Sequence, residues 1–262
     1  MKRIIYYLKI WLLMARNAFI VWFNRRNLLI IFLLGKVIRY IFYFTFLYFL
    51  VNSSKGLSGF TGNQVLFFTA TYVLIDTVAQ FFFRSVYTFR QLIVSGDFDL
   101  VLLKPVNALF RVLMGGPDPI DFVTIPPIIF VTFYLGSILQ PTPLQVFYYL
   151  LLVANGLVIA MAFHIVVLSL GVITLEIDHT IMVFRDLSSM GRLPIDIYKE
   201  PFKSVLTYII PVGLMITLPA KGLFGLVTPV GVLFSIAFGF VFLFLSLRFW
   251  NFALTKYTSA SS

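Results

Sequence analysis

The chain has 262 residues, of which 60% are hydrophobic and only 11% are charged, and its formal net charge is +10. A soluble domain averages about 25% charged residues, so this apolar excess excludes a single water-soluble globule and predicts a protein that uses the bilayer as its solvent. The absence of cysteine excludes disulfides, thiol catalysis and metal sites built on cysteine.

Long hydrophobic runs without a strand-like alternation predict helices that cross the membrane, because backbone polar groups in lipid must be satisfied within the chain. The positive charge is typical of a polytopic protein that contacts anionic lipid. No basic run with interleaved aromatic residues occurs, so nucleic acid is not an expected partner. The expected fold class is an all-α polytopic membrane protein with six transmembrane helices.

Residues 1–24 have the pattern of an amphipathic helix. Its apolar face recurs every three or four positions and comprises Ile4, Leu8, Trp11, Leu12, Ala15, Phe19 and Trp22. Lys2, Lys9 and Arg16, seven residues apart, mark another face. Basic residues together with tryptophan predict a helix that lies in the membrane interface. A short first span is the alternative.

Spans one and two, about 29–51 and 63–85, both carry charged or polar residues within the membrane. Lys36 and Arg39 share one face of span one. In span two a polar stripe recurs at a spacing of three or four residues: Thr69, Tyr72, Asp76 and Gln80. The stripe predicts a face turned to protein or water along a transport pathway, and simple helix–helix contact is the alternative.

Asp76 and Arg39 are expected to form an ion pair. Each lies on the order of 14 Å inside the membrane at about 1.5 Å per residue, and an unpaired charge at that depth is costly. Lys36 is the reserve partner, one turn nearer the surface. In the alternative, Lys36 and Arg39 reach the lipid headgroups while Asp76 faces a wet cavity.

The loop 86–111, VYTFRQLIVSGDFDLVLLKPVNALFR, is too apolar for a solvated connection and too short in its apolar runs to cross the membrane. Gly96 and Pro105 divide it into two short amphipathic pieces, with Asp97, Asp99 and Lys104 at the turns. This pattern predicts a docking platform for a partner protein, and a segment lying on lipid is the alternative. The expected anchors are Phe89, Arg90, Ile93 and Phe98.

The remaining spans are predicted at about 120–139, 144–173 and 228–250, and His164 in the second of these is expected to be a packing residue. Hydropathy makes 174–204 a cytoplasmic loop and 205–222 the fifth span. Six basic residues precede span one, four lie in 84–117 and none lies in 140–143. This bias puts the N-terminus and loop 84–117 in the cytoplasm.

Two motifs resemble those of a known family. The run LIVSGDFDLVLLKPVNALF at 92–110 resembles the cytoplasmic loop of one branch of the ABC-2-type transporter permeases. The run RLPIDIYKEPFKSVLTYIIPVGLMITLPAKGLFG at 192–225 keeps Pro194, Tyr198, Pro211, Pro219 and Ala220 in that family's order. The chain departs from the pattern at its Gly/Pro-rich residues 114–119 and in its several intramembrane charges.

The resemblance implies a single transmembrane domain over 1–262, with an interfacial N-terminal helix and both termini in the cytoplasm of a cell inner (plasma) membrane. It also implies a different fifth span, 175–194, followed by a re-entrant element at 196–224 that Pro211 and Pro219 would break. Loop 86–104 would hold a coupling helix that seats in a cleft of an ATPase. The residues carried over for that docking are Phe89, Arg90, Ile93, Gly96, Asp97, Phe98, Asp99 and Lys104.

The partners implied are a second permease, identical or related, and two separate ATP-binding cassette subunits, which would bind ATP and magnesium. The chain itself contains no GxxxxGK[ST] or GxSxG motif, and His164 and His179 are too far apart in sequence for a metal pair. We therefore expect a non-catalytic chain that binds no cofactor or metal.

The leading functional interpretation is the permease subunit of an ABC exporter for an amphipathic or lipid-like molecule. One alternative is a stand-alone secondary transporter, in which Asp76, His164, Lys36 and Arg39 would carry a proton or substrate. Another is a lipid-modifying or assembly protein. Co-purification with an ATPase would separate the first interpretation from the other two.

Overall fold

The structure is a computed structural model that describes residues 2–54, 57–174 and 177–258. These residues are helical apart from turns and one β-bridge between Leu57 and Phe60. The α-helices are α1 Lys2–Phe23, α2 Arg26–Ser54, α3 Gly62–Phe83, α4 Phe89–Val94, α5 Asp97–Leu103, α6 Ala108–Leu113, α7 Pro119–Ile138, α8 Pro143–Thr174, α9 Ile177–Ser189, α10 Phe202–Ser204, α11 Leu218–Leu223 and α12 Pro229–Thr255. The side chain of His179 lies outside the described part of the chain.

The predicted all-α polytopic architecture is confirmed. Six helices of the described chain are long and apolar enough to cross a membrane: α1, α2, α3, α7, α8 and α12. Five of these coincide within a few residues with the predicted spans. The sixth is α1, whereas the 13-residue α9, which begins the expected fifth span, is too short to qualify.

The core of the bundle lies around α3 and α8. Most of the α3 window is buried, whereas the corresponding window of α2 has no buried residue. α8 packs along α12, α11 and α9, and α3 packs along α7. Because a helix that is apolar all round is satisfied by either protein or lipid, the apolar α2 and α12 remain at the lipid-facing rim.

α1 lies across one end of this bundle. Tyr7 packs edge-on against Phe110, with ring centroids 4.9 Å apart. Trp11 contacts Phe81 and Phe82 at the end of α3, and Phe19 contacts Phe122 at the start of α7, 5.4 Å away. The contacts follow α1 for about 18 Å at ~1.5 Å per residue, yet every partner belongs to α6, the last turn of α3 or the first turn of α7. This arrangement supports a helix parallel to the membrane plane.

The segment after α9 doubles back on itself. Phe202–Ile209 and Gly213–Leu223 meet at an angle of 75°, so 205–222 is not one straight helix. Asp196 contacts Lys203 at 2.9 Å and Lys221 at 2.7 Å, so the beginning of the first arm lies beside the end of the second. This hairpin supports the re-entrant interpretation of 196–224.

The three prolines of this segment have different roles. Pro194 is buried and precedes a short 3₁₀ turn, Ile195–Ile197. Pro211 lies at the bend between the two arms, as expected. The prediction that Pro219 also breaks the element is wrong, because it lies inside the arm Gly213–Leu223 at the first turn of α11. The π-helical turn Gly213–Thr217 before it changes the hydrogen-bond pattern, so the helix continues through Pro219.

Candidate functional site

The loop 86–111 folds into a compact platform of three short helices, α4, α5 and α6, after the 3₁₀ turn Arg84–Thr88. Gly96 joins α4 to α5 with φ +77°, a left-handed conformation that glycine adopts without strain. Asp97 and Asp99 lie in the first turn of α5, where carboxylates stabilise the helix dipole. The Ser95 hydroxyl donates to the Asp97 carboxylate at 2.7 Å. Lys104 ends α5 and is exposed.

The platform has its own aromatic core, which reaches the end of α12. Phe98 packs edge-on against Phe89 and against Tyr257, with ring centroids 5.1 Å apart in each case. The ring of Trp250 lies 6.4 Å from that of Phe98. The Tyr257 hydroxyl donates to Oδ1 of Asp99 at 2.8 Å. Burial, and after it the hydrogen bond to Asp99, raise the pKa of Tyr257 to about 12, so the phenol remains a donor at neutral pH.

This core overturns part of the predicted docking surface. Phe89, Ile93 and Phe98 are 0%, 3% and 0% exposed within the chain itself, so they cannot be anchors inserted into a partner. Sequence reasoning chose them as anchors because a few buried residues, aromatic ones above all, carry most of the energy of an interface. The side chains that the platform does expose include Arg90, Val94, Asp97, Leu100, Leu103 and Lys104.

Two ion pairs lie where α2, α3 and α7 meet near the platform. Lys36 on α2 contacts the carboxylate of Asp121 on α7. Arg84 Nε lies 3.4 Å from Oδ2 of Asp118, which also caps α7. The prediction of Lys36 as the reserve partner of Asp76 is therefore wrong. Both carboxylates lie at the N-terminal end of α7, a helix that had no part in the predicted pairing.

Asp76 lines a polar cavity of about 240 Å³. Among the described side chains no cation lies within the 4 Å ion-pair distance of its carboxylate, so the predicted direct pair with Arg39 is wrong. Arg39 instead stacks over the ring of Tyr40, with Cζ 5.3 Å from the centroid. Two further arginines line the same cavity, Arg185 and Arg192. Of the alternative, only the cavity beside Asp76 is observed, because Lys36 pairs with Asp121 and Arg39 lines the same cavity.

Sequence reasoning missed Arg185 and Arg192 because hydropathy put them in a cytoplasmic loop. Their spacing of seven residues is that of one helix face and would have been the signal. In the structure Arg192 Cζ lies 5.7 Å from the Tyr72 ring and 5.8 Å from that of Tyr43. Arg185 Cζ lies 5.8 Å from the ring of Tyr87.

The rest of the polar stripe of α3 faces protein. Thr69 donates to the backbone carbonyl of Arg192 at 3.0 Å, and Gln80 donates to the hydroxyl of Tyr87 at 2.6 Å. Tyr72 and Gln80 are only 8% and 9% exposed. His164 is buried, with Nδ1 2.8 Å from the Ala160 carbonyl oxygen and its ring against Phe184. His164 thus packs as expected from the sequence.

The fold and these two features define a polytopic membrane protein with a structured platform at one end of the bundle and charges inside it. A family model described as ABC-2 family transporter protein matches residues 37–261. The chain belongs to this family, and it is a permease-type membrane component of an ABC transporter. Such components are generally non-catalytic, work with an ATP-binding cassette subunit and form dimers. Neither the curated proteins nor the solved structures contain a match.

Proposed function

We propose that the chain is the permease subunit of an ABC exporter, moving an amphipathic or lipid-like molecule out of the cytoplasm. Separate ATPase subunits would bind ATP and magnesium and supply the energy. The observation that carries this proposal is the platform, which in a permease of this family offers an ATPase a folded docking element joined firmly to the helix bundle.

The packing of the platform supports a lever mechanism. Phe98 and Asp99 on α5 contact Trp250 and Tyr257 at the end of α12, so a displacement of the platform would displace α12 with it. α12 in turn packs along α8 at the centre of the bundle. Closure of an ATPase pair on ATP would then switch the bundle between two access states.

The docking surface we propose is the exposed side of α4 and α5. Leu103 is 81% exposed, Val94 59% and Leu100 57%, and the charged residues Arg90, Asp97 and Lys104 of the same segment are also exposed. Apolar residues with a charged rim form the usual arrangement of a specific protein interface. Arg90 also has a partner within the chain, so we expect it to orient the platform as well as contact the ATPase.

The proposed topology puts platform and both termini in the cytoplasm of a cell inner (plasma) membrane. Tyr7 accepts a hydrogen bond from the backbone N–H of Asn107, and Tyr257 contacts Asp99. These contacts support one common side for the N-terminal region, the platform and the C-terminal region. The basic residues of the N-terminal region and loop 84–117 support the cytoplasm as that side.

Co-purification tests the proposal. An affinity-tagged chain, expressed together with the ATPase of its own transporter, should retain that ATPase through purification in a neutral detergent. Leu103→Asp should lower the retained ATPase at least about tenfold, as expected for an interface hot spot worth more than ~1.4 kcal/mol. Leu226→Asp is the matched control, because Leu226 is 58% exposed and precedes α12 at the opposite end of the bundle.

Two results would overturn the proposal. One is a native chain, correctly inserted, that retains no ATPase and stimulates no ATP hydrolysis, which would favour a stand-alone transporter. The other is an equal loss with Leu103→Asp and Leu226→Asp, which would remove the platform as the docking element.

A further inference from the structure

Two cavities of opposite character adjoin each other along α2 and α3. The polar cavity of about 240 Å³ contains Arg39, Arg185 and Arg192. The second, of about 630 Å³, lies between α2, α3 and α7 and is lined almost wholly by apolar groups. Tyr40 and Val73 line both. The larger cavity lies within the ~300–1,000 Å³ typical of small-molecule sites.

The polar cavity has an excess of positive charge. Its three guanidiniums face two carboxylates, those of Asp76 and Asp186. The neighbouring cations Lys36 and Arg84 do not change this balance, since each is paired with an aspartate of α7. Among the described side chains, one positive charge of the cavity is therefore left without a counter-charge.

The three guanidiniums are held by rings and remain open to an anion. Arg39, Arg185 and Arg192 each lie 5.3 to 5.8 Å from a tyrosine ring centroid. No described carboxylate lies within 4 Å of any of them. Cation–π contact orients a guanidinium without neutralising it, and the guanidinium fork matches phosphate and carboxylate oxygens.

We propose that the paired cavities bind an amphipathic anion, with a headgroup of one negative charge on the three arginines and a hydrocarbon chain in the apolar cavity. The shared chemistry is a phosphate ester or carboxylate on an aliphatic tail. Because this names the class of molecule carried, it rests on the proposed transport function. The occupant is lipid-like, since the apolar cavity is the larger of the two and adjoins the polar one directly.

The test is direct binding to the purified full chain in neutral detergent, followed by native mass spectrometry. Three probes are compared: lysophosphatidylglycerol, lysophosphatidylcholine with the same acyl chain, and glycerol phosphate as the headgroup alone. We expect the anionic lipid to bind about tenfold or more tighter than the zwitterionic one, and glycerol phosphate not to compete with it. Equal binding of the two lipids overturns the proposal, as does competition by glycerol phosphate as strong as by the lipid.

Variants connect the binding to the cavities. Arg39→Gln should abolish the preference for the anion, whereas Arg39→Lys, which keeps the charge and loses the fork, should keep only part of it. Arg248→Gln is the matched control, because Arg248 is an exposed arginine stacked on Phe244 of α12, away from both cavities. Thr45→Trp, at an exposed residue of the apolar cavity, should weaken both lipids alike.

Arg192→Gln repeats the headgroup test with an arginine outside α2. It still tests the proposal if Arg39→Gln fails to fold. An unchanged preference in the folded arginine variants overturns the proposal. The binding assay needs no ATPase, so its result is separate from that of co-purification. If the chain binds the anion but retains no ATPase, the proposed transport function is wrong and the anion site stands. If it retains the ATPase but shows no preference for the anion, the anion site is wrong and the transport function stands.

Discussion

The contact between Lys36 and Asp121 is an ion pair largely removed from solvent, with side chains 14% and 6% exposed. A pair in that environment is a small net contributor to stability, since desolvation offsets most of the attraction. Loss of one partner is different, because it leaves the other charge buried and unpaired.

We therefore expect Lys36→Met to destabilise the folded bundle by roughly 3–5 kcal/mol, the range found for broken buried pairs. The double variant Lys36→Met, Asp121→Leu should recover most of that loss. Thermal unfolding in detergent, followed by tryptophan fluorescence, measures both. If the double variant is as unstable as the single one, the pair is not what positions α2 against α7.

Arg39, one turn further along α2, is the informative comparison. It lacks such a close pair among the described residues and is exposed at the cavity. The two cations of one helix face thus have different roles, which sequence spacing cannot distinguish. What distinguishes them is α7, since its aspartate reaches Lys36 and not Arg39.

Among the helices, α1 offers the most direct test of how a helix lies relative to the membrane. Its tryptophans hold it against the bundle, with the ring of Trp11 5.9 Å from that of Phe82 and the ring of Trp22 6.1 Å from that of Phe32. The pair Trp11→Glu, Trp22→Glu places two charges in these contacts, so α1 should detach and become sensitive to protease added from the platform side. Asn17→Glu, an exposed position on the same helix, is the control.

An α1 that remains protected in the double variant would contradict the interfacial interpretation. So would a spin label at Leu8 that reports the depth of the bilayer centre. α1 is apolar and long enough to qualify as a span, so the structural argument for the membrane surface is its lateral contacts.

For the whole molecule, the prediction concerns which loops share a side of the membrane. The chain contains no cysteine, so an introduced cysteine is the only thiol that can react. Single cysteines at Lys199 and Leu226, before and after the hairpin, should both react with an impermeant maleimide added outside. A cysteine at Ser95 should react only after the membrane is opened. If Lys199→Cys and Leu226→Cys react from opposite sides, the bent segment is a span and the re-entrant interpretation fails.

The sequence alone determined the class of fold and the approximate limits of five of the long helices. Apolar runs of 20 residues or more have one stable solution in lipid, so composition and length were sufficient for α2, α3, α7, α8 and α12. The break at Gly96 was also readable, because a left-handed turn between two short helices favours glycine.

Only the tertiary structure decided which side chains meet. From the sequence, Phe89 and Phe98 were expected to be interface anchors. They form the core of the platform instead, because α12 returns to that end of the bundle after about 150 residues and brings Trp250 against them. Asp76 shares a cavity with Arg185 and Arg192 and does not pair with Arg39. The reason is that α9 packs against α8, which brings the 3₁₀ turn Met190–Arg192 against α3. Contacts between residues so distant along the chain depend on helix packing, which local periodicity does not encode.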